Sequence, residues 1–163
     1  MKISFIFIIL FLPAFQTFAQ TSVSDLDPIH QTVLHKWLAT QKGWRLALER
    51  DYEKESLDFL RLNEKNARPF YVSEDFNGDR KKDFAVILIN GRKKFAAAVF
   101  NAPFDLKKTQ KPAFFTTRID AGDIVIFNKN SNRLLIGPYA SDAGFILEPN
   151  GKTYRAESML PEN

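Results

Sequence analysis

Residues 75–91 read Asp75-Phe76-Asn77-Gly78-Asp79-Arg80-Lys81-Lys82-Asp83-Phe84-Ala85-Val86-Ile87-Leu88-Ile89-Asn90-Gly91. The run Phe84 to Ile89 is continuously apolar and has the length and composition of a buried β-strand. Asn90-Gly91 behind it favours a type I′ hairpin turn, which predicts Lys94 to Phe100 as the returning strand. The first half is a loop with oxygen-bearing side chains at Asp75, Asn77, Asp79 and Asp83, loop positions 1, 3, 5 and 9. A tightly curled backbone aims every second side chain of such a loop inward, where a hard cation such as Ca²⁺ could collect oxygens. The strand that follows would anchor that loop to a sheet.

The segment Asp75 to Val86 resembles the D-x-N-G-D-x-x-x-D-[hydrophobic] calcium loop of FG-GAP/VCBS-type repeats, which occur in integrin-like propellers and secreted bacterial repeat proteins. The resemblance implies a metal site made of the side chains of Asp75, Asn77, Asp79 and Asp83 with the carbonyl of Lys81 at position 7. Two departures stand out. Position 6, where such loops turn with positive φ and usually carry Gly, is Arg80. Position 12 is Val86 and not the bidentate Glu of an EF-hand, so the helix-loop-helix version is excluded.

Three acids in one small loop repel each other unless something cationic compensates. Ca²⁺ would do so directly. Arg80, Lys81 and Lys82 could do so without metal, leaving an Asx-turn loop whose side chains bond their own backbone N–H groups. A propeller is not expected, because repeat architectures need several copies before neighbours share a core. No second D-x-N-G-D occurs in the chain.

Working outward towards the N-terminus, Phe70 to Ser73 reads as the strand that enters the loop. Asp51 to Asn66, with Leu57, Phe59 and Leu60 among charges, reads as a helix ending before Arg68-Pro69. Trp44 to Leu48 is a short strand candidate. Asp27-Pro28 supplies an N-cap and a proline at the first helical position. Ile29, Val33, Leu34, Trp37 and Leu38 then share a helical face, with Gly43 closing the helix. His30 and His35, five apart, are expected as surface histidines.

Towards the C-terminus, Ala96-Ala97-Ala98 leaves room for a helix to approach the returning strand closely. A basic and aromatic loop follows, with Lys107, Lys108 and Lys111. Short strands are then predicted at 113–119, 123–127, 134–136, 144–147 and 153–156, separated by turn-rich links. Short links between short strands favour an antiparallel meander. With the helices segregated at the start, the expected class is α+β: two N-terminal helices packed on one mainly antiparallel sheet.

Met1-Lys2, an apolar core from Ile3 to Phe15, and small residues at Thr17 and Ala19 read as a secretory signal peptide cut after Ala19. Residues 20–163 would then form one globular domain, periplasmic or secreted, with no stable membrane insertion after cleavage. The chain contains no cysteine, so disulfide and thiolate chemistry are excluded. Loss of Lys2 with the leader lowers the formal net charge from +4 to +3, too small an excess to argue for nucleic acid.

No G-x-S-x-G, H-E-x-x-H or spaced nucleophile–base set is present. The sequence therefore points to an exported, non-catalytic, Ca²⁺-stabilised monomer with a binding or structural role and a protein or polysaccharide partner. Two alternatives are an inhibitor or immunity-type protein, contacting its target through Phe104 to Phe115, and a metal-dependent hydrolase built on Asp75 to Asp83.

Overall fold

The computed structural model describes residues 26–63, 68–91, 94–119, 125–130, 133–138 and 144–159. Residues 1–19, read from the sequence as a signal peptide, lie outside the described residues. The element order is α1 (Pro28–Leu38), β1 (Trp44–Leu46), a 3-10 turn (Glu49–Asp51), α2 (Lys54–Asn63), β2 (Tyr71–Glu74), β3 (Asp83–Asn90), β4 (Lys94–Phe100), β5 (Phe114–Ile119), β6 (Val125–Asn130), β7 (Arg133–Pro138), β8 (Phe145–Asn150) and β9 (Thr153–Ser158).

The expected α+β class, with helices on a single meander sheet, is corrected. The described chain is mostly β and its strands form two antiparallel sheets, one of five strands and one of four. The first has the path β1-β3-β4-β5 with β2 also paired to β3, and the second runs β6-β7-β8-β9. The break falls between β5 and β6, which follow one another in sequence and pair in different sheets. Alternating strands and short links specify antiparallel neighbours, but they do not say where one sheet stops and the next begins.

β3 is the centre of the first sheet. Two short strands share one of its edges: β2 lies opposite Asp83 to Val86, and β1 opposite Leu88 to Asn90. Where they meet, the Ile87 N–H donates to the Phe70 carbonyl, and the Ala47 N–H donates to the Ile87 carbonyl. The ladder is thereby satisfied without a gap. Every residue of β3 from Asp83 to Ile89 is buried, which is why its sequence is a continuous apolar run and not an alternation.

The two faces of this sheet carry different layers. Phe84, Phe100 and Phe115 share one face by register, and α1 packs there. Trp37 meets Phe100 and Phe115 edge-on, each with ring centroids 5.4 Å apart. Ala98 lies opposite Phe115 and is fully buried. On the other face β6 lies against β2 and β3, and Phe114 meets Phe145 of β8. Leu134, Ile136, Leu147 and Tyr154 of the second sheet join the same buried core as β3 and β4.

Helix α1 begins as the sequence dictates, with Asp27 Oδ1 accepting the Ile29 N–H at 2.8 Å and Pro28 at the start. Its buried stripe is His30, Val33, Leu34 and Trp37, while Ile29 is 46% exposed. The expectation of a surface His30 is therefore corrected: Val33, Leu34 and Trp37 are buried as expected, but in the first turn His30 takes the inward place expected of Ile29. The helix ends at Leu38, and Gly43, at φ +81°, serves the turn into β1 instead of capping the helix. Asn90 pairs with Lys94 at the end of the β3–β4 ladder and Gly91 takes φ +65°, while residues 92–93 of the expected turn lie outside the described residues.

Candidate functional site

The acid-rich loop is the connection between β2 and β3, residues 75–82, and Asp83 is the first residue of β3. Glu74 pairs with Asp83 across its base, and Ser73 Oγ donates to the Asp83 carbonyl at 2.9 Å. Phe76, fully buried, pins the loop to the core. The loop thus has a rigid floor and an exposed crest from Gly78 to Lys82.

Its crest is a succession of side-chain-to-backbone bonds. Asp75 spans the turn, with Oδ1 accepting the Gly78 N–H at 2.7 Å and Oδ2 accepting the Arg80 N–H at 2.8 Å. Asn77 Oδ1 accepts from the Asp79 N–H, and Asp79 Oδ1 from the Lys81 N–H, both at 2.9 Å. These are Asx turns in series. Gly78 has φ +80° and Arg80 φ +67°. Position 6 therefore adopts the left-handed conformation despite carrying a side chain, at a cost of about 1–2 kcal/mol.

Asp83 differs from the rest of the set. It has no exposed surface, and its carboxylate accepts the Phe76 N–H at 3.2 Å and the Ala102 N–H at 2.9 Å. Burial pushes its pKa up; the Ala102 and Phe76 amides oppose that shift, and the charges of Asp79 and Asp75 add to it. Burial also pushes Asp75 upward, but the amides of Arg80, Gly78, Asp79 and Asn77 hold its carboxyl below the usual range. Asp79 Oδ2 sits 3.7 Å from Lys81 Nζ, an exposed pair of small energetic weight.

A second layer of polar groups stands behind Asp83. Tyr154 of β9 donates from its hydroxyl to Asn101 Oδ1 at 2.8 Å, and the Gln110 side chain donates to the Asn101 carbonyl at 2.7 Å. Burial raises the Tyr154 pKa, and Asp83 adds to the shift. The base of the loop is thereby tied to the C-terminal sheet, a link that no local sequence pattern announces.

Among the described residues no three Asp, Glu, His or Cys side chains are grouped as a metal-holding set. The donor types nevertheless suit a hard cation: carboxylates at Asp75, Asp79 and Asp83, an amide at Asn77 and a main-chain carbonyl at Lys81, on a backbone already curled at position 6. Each carboxylate oxygen that accepts one N–H keeps a further lone pair. Asp79 is engaged with Lys81, its Oδ1 accepting the Lys81 N–H at 2.9 Å and its Oδ2 lying 3.7 Å from Nζ.

His30 is the functional-looking residue whose surroundings the sequence misplaced. It is 5% exposed, stacks on Phe84 at 4.5 Å, meets Phe104 edge-on at 5.1 Å, and its Nδ1 lies 2.9 Å from the Tyr71 hydroxyl. His35 is exposed, as expected. The chain gives no match to any protein-family model and no significant match to curated proteins or solved structures.

Proposed function

We propose that residues 20–163 form an exported, non-catalytic domain with a binding or structural role, and that the loop from Asp75 to Asp83 takes up Ca²⁺ as a stabiliser. The observation that supports this reading best is Arg80 at φ +67°, with Asp75 bonded to the amides of both Gly78 and Arg80. A left-handed residue at the sixth position is what a 1-3-5-7-9 oxygen loop needs, and this chain accepts the strain of placing Arg there. The upward push that Asp79 and Asp75 exert on Asp83 supports the same reading, because a divalent cation would relieve it.

On this reading Asp75, Asn77, Asp79, Asp83 and the Lys81 carbonyl hold the ion, and Asp79 exchanges its contacts with Lys81 for it. The ion would stiffen the β2–β3 connection and, through Asp83, the region around Ala102 and Tyr154. Export rests on the leader-like residues 1–19. The test is thermal unfolding with and without calcium, with Asp79→Ala as control: a rise in melting temperature that the variant lacks supports the proposal.

A second reading, an inhibitor or immunity-type protein, is favoured by the exposed Leu106 and Phe115 beside Lys107 and Lys111. Capture of one defined envelope protein, lost on Phe115→Ala with Lys107→Glu, would favour it.

A further inference from the structure

Three Asn-Gly dipeptides occur in the chain: Asn77-Gly78, Asn90-Gly91 and Asn150-Gly151. Glycine after asparagine leaves the next backbone nitrogen unhindered, so all three carry the same intrinsic capacity for attack by that nitrogen on the side-chain amide. The fold separates them.

Asn90 and Asn150 end strands, and their backbones are held in ladder pairs with Lys94 and Thr153. Asn90 Nδ2 also donates to the Lys42 carbonyl at 3.4 Å, and its amide closes over Gly43. Thr153 Oγ1 donates to the Asn150 carbonyl at 3.0 Å. Asn77 has no ladder to hold it, since it lies in the β2–β3 loop outside any strand.

There the surroundings match what the reaction needs. The nucleophile is the Gly78 nitrogen, whose N–H donates to Asp75 Oδ1 at 2.7 Å, within the reach expected of a general base. The electrophile is Asn77 Cγ, whose carbonyl oxygen accepts the Asp79 N–H at 2.9 Å, a donor placed where negative charge would develop. Gly78, like Gly91 and Gly151, has open space where a Cβ would stand, so what sets Asn77 apart is the pair of hydrogen bonds and not room around the glycine.

We propose that Asn77 is a self-modifying site: the loop deamidates its own side chain, leaving aspartate or isoaspartate at position 77. The Gly78 nitrogen bonds to Asn77 Cγ as its proton passes to the Asp75 carboxylate. The Cγ–Nδ2 bond breaks, and the proton leaves with Nδ2 as ammonia, closing a succinimide ring. Water then opens the ring at either carbonyl, giving aspartate or isoaspartate, and nothing is oxidised or reduced. The product adds a fourth carboxylate to a loop that holds three.

The test is peptide mapping by mass spectrometry after the full chain is incubated, folded, in mildly alkaline buffer. A chelator is included so that the result does not depend on the cation reading. Conversion at Asn77 is expected to outpace Asn90 and Asn150 by at least about tenfold, and Asp75→Asn to remove most of that lead. In strong denaturant the three sites should converge, and the Asp75→Asn effect should vanish. Equal rates at the three sites in the folded chain would overturn the proposal, as would a lead at Asn77 that survives Asp75→Asn in a variant whose circular dichroism matches the parent.

Discussion

The fully buried carboxylate of Asp83 accepts the amide N–H of Ala102, nineteen residues further along the chain, at 2.9 Å. The same carboxylate accepts Phe76 N–H from the loop. One side chain therefore holds together the acid-rich loop, the first residue of β3 and the segment leaving β4.

Asp83→Ala should leave both amides without their acceptor. Each such orphaned donor costs about 1–3 kcal/mol, so the variant should lose about 2–6 kcal/mol by urea denaturation. Asp83→Asn keeps one acceptor oxygen and should lose less.

His30 gives the domain an acid-sensitive contact. Burial lowers its pKa from 6.5, and Lys82 adds to the shift while Asp27 opposes it. The unfolded chain therefore binds the proton more readily than the native one. Stability from this site is full above the unfolded value and falls as pH drops through about 6.5 towards the lower native pKa. Unfolding midpoints across that window should fall more in the parent than in His30→Phe/Tyr71→Phe, which removes both polar partners together.

Ala98 lies opposite Phe115 on the face that receives Trp37 of α1. Ala98→Leu should overpack this layer and cost about 1–3 kcal/mol. A shift in tryptophan emission at unchanged far-ultraviolet circular dichroism would mark displacement of Trp37 without loss of the sheet.

Arg80 stands at φ +67° on the exposed crest. Arg80→Gly relieves the left-handed strain, and the extra freedom of the unfolded chain takes back part of the gain, leaving about 0.5–1 kcal/mol of stabilisation. The gain should be visible in metal-free buffer as a higher urea midpoint at unchanged m-value.

Much of the local structure was legible because its signals are short-range. The Asp27-Pro28 cap, the buried run of β3 and the returning β4 follow from residue chemistry within a few positions. The Asx-turn alternative for the loop was also visible, since Asp75, Asn77 and Asp79 need only neighbouring amides. What stayed hidden depends on contacts distant in sequence. His30 looked like a surface residue because its partners, Tyr71, Phe84 and Phe104, lie far along the chain. The split into two sheets was illegible for a similar reason: β5 and β6 carry no pattern that forbids their pairing, yet they pair in different sheets. The Asp83–Ala102 bond and the Tyr154–Asn101 bond behind it belong to the same class.

Calorimetric titration of the chelator-treated chain with calcium, paired with thermal unfolding at each end point, addresses the central claim most directly. The account predicts saturable binding, a rise in melting temperature worth about 2.7 kcal/mol at a hundredfold excess over Kd, and loss of both in Asp79→Ala. Millimolar calcium that produces no binding heat and no shift in melting would contradict it, leaving the loop from Asp75 to Asp83 a metal-free turn held by its own amides.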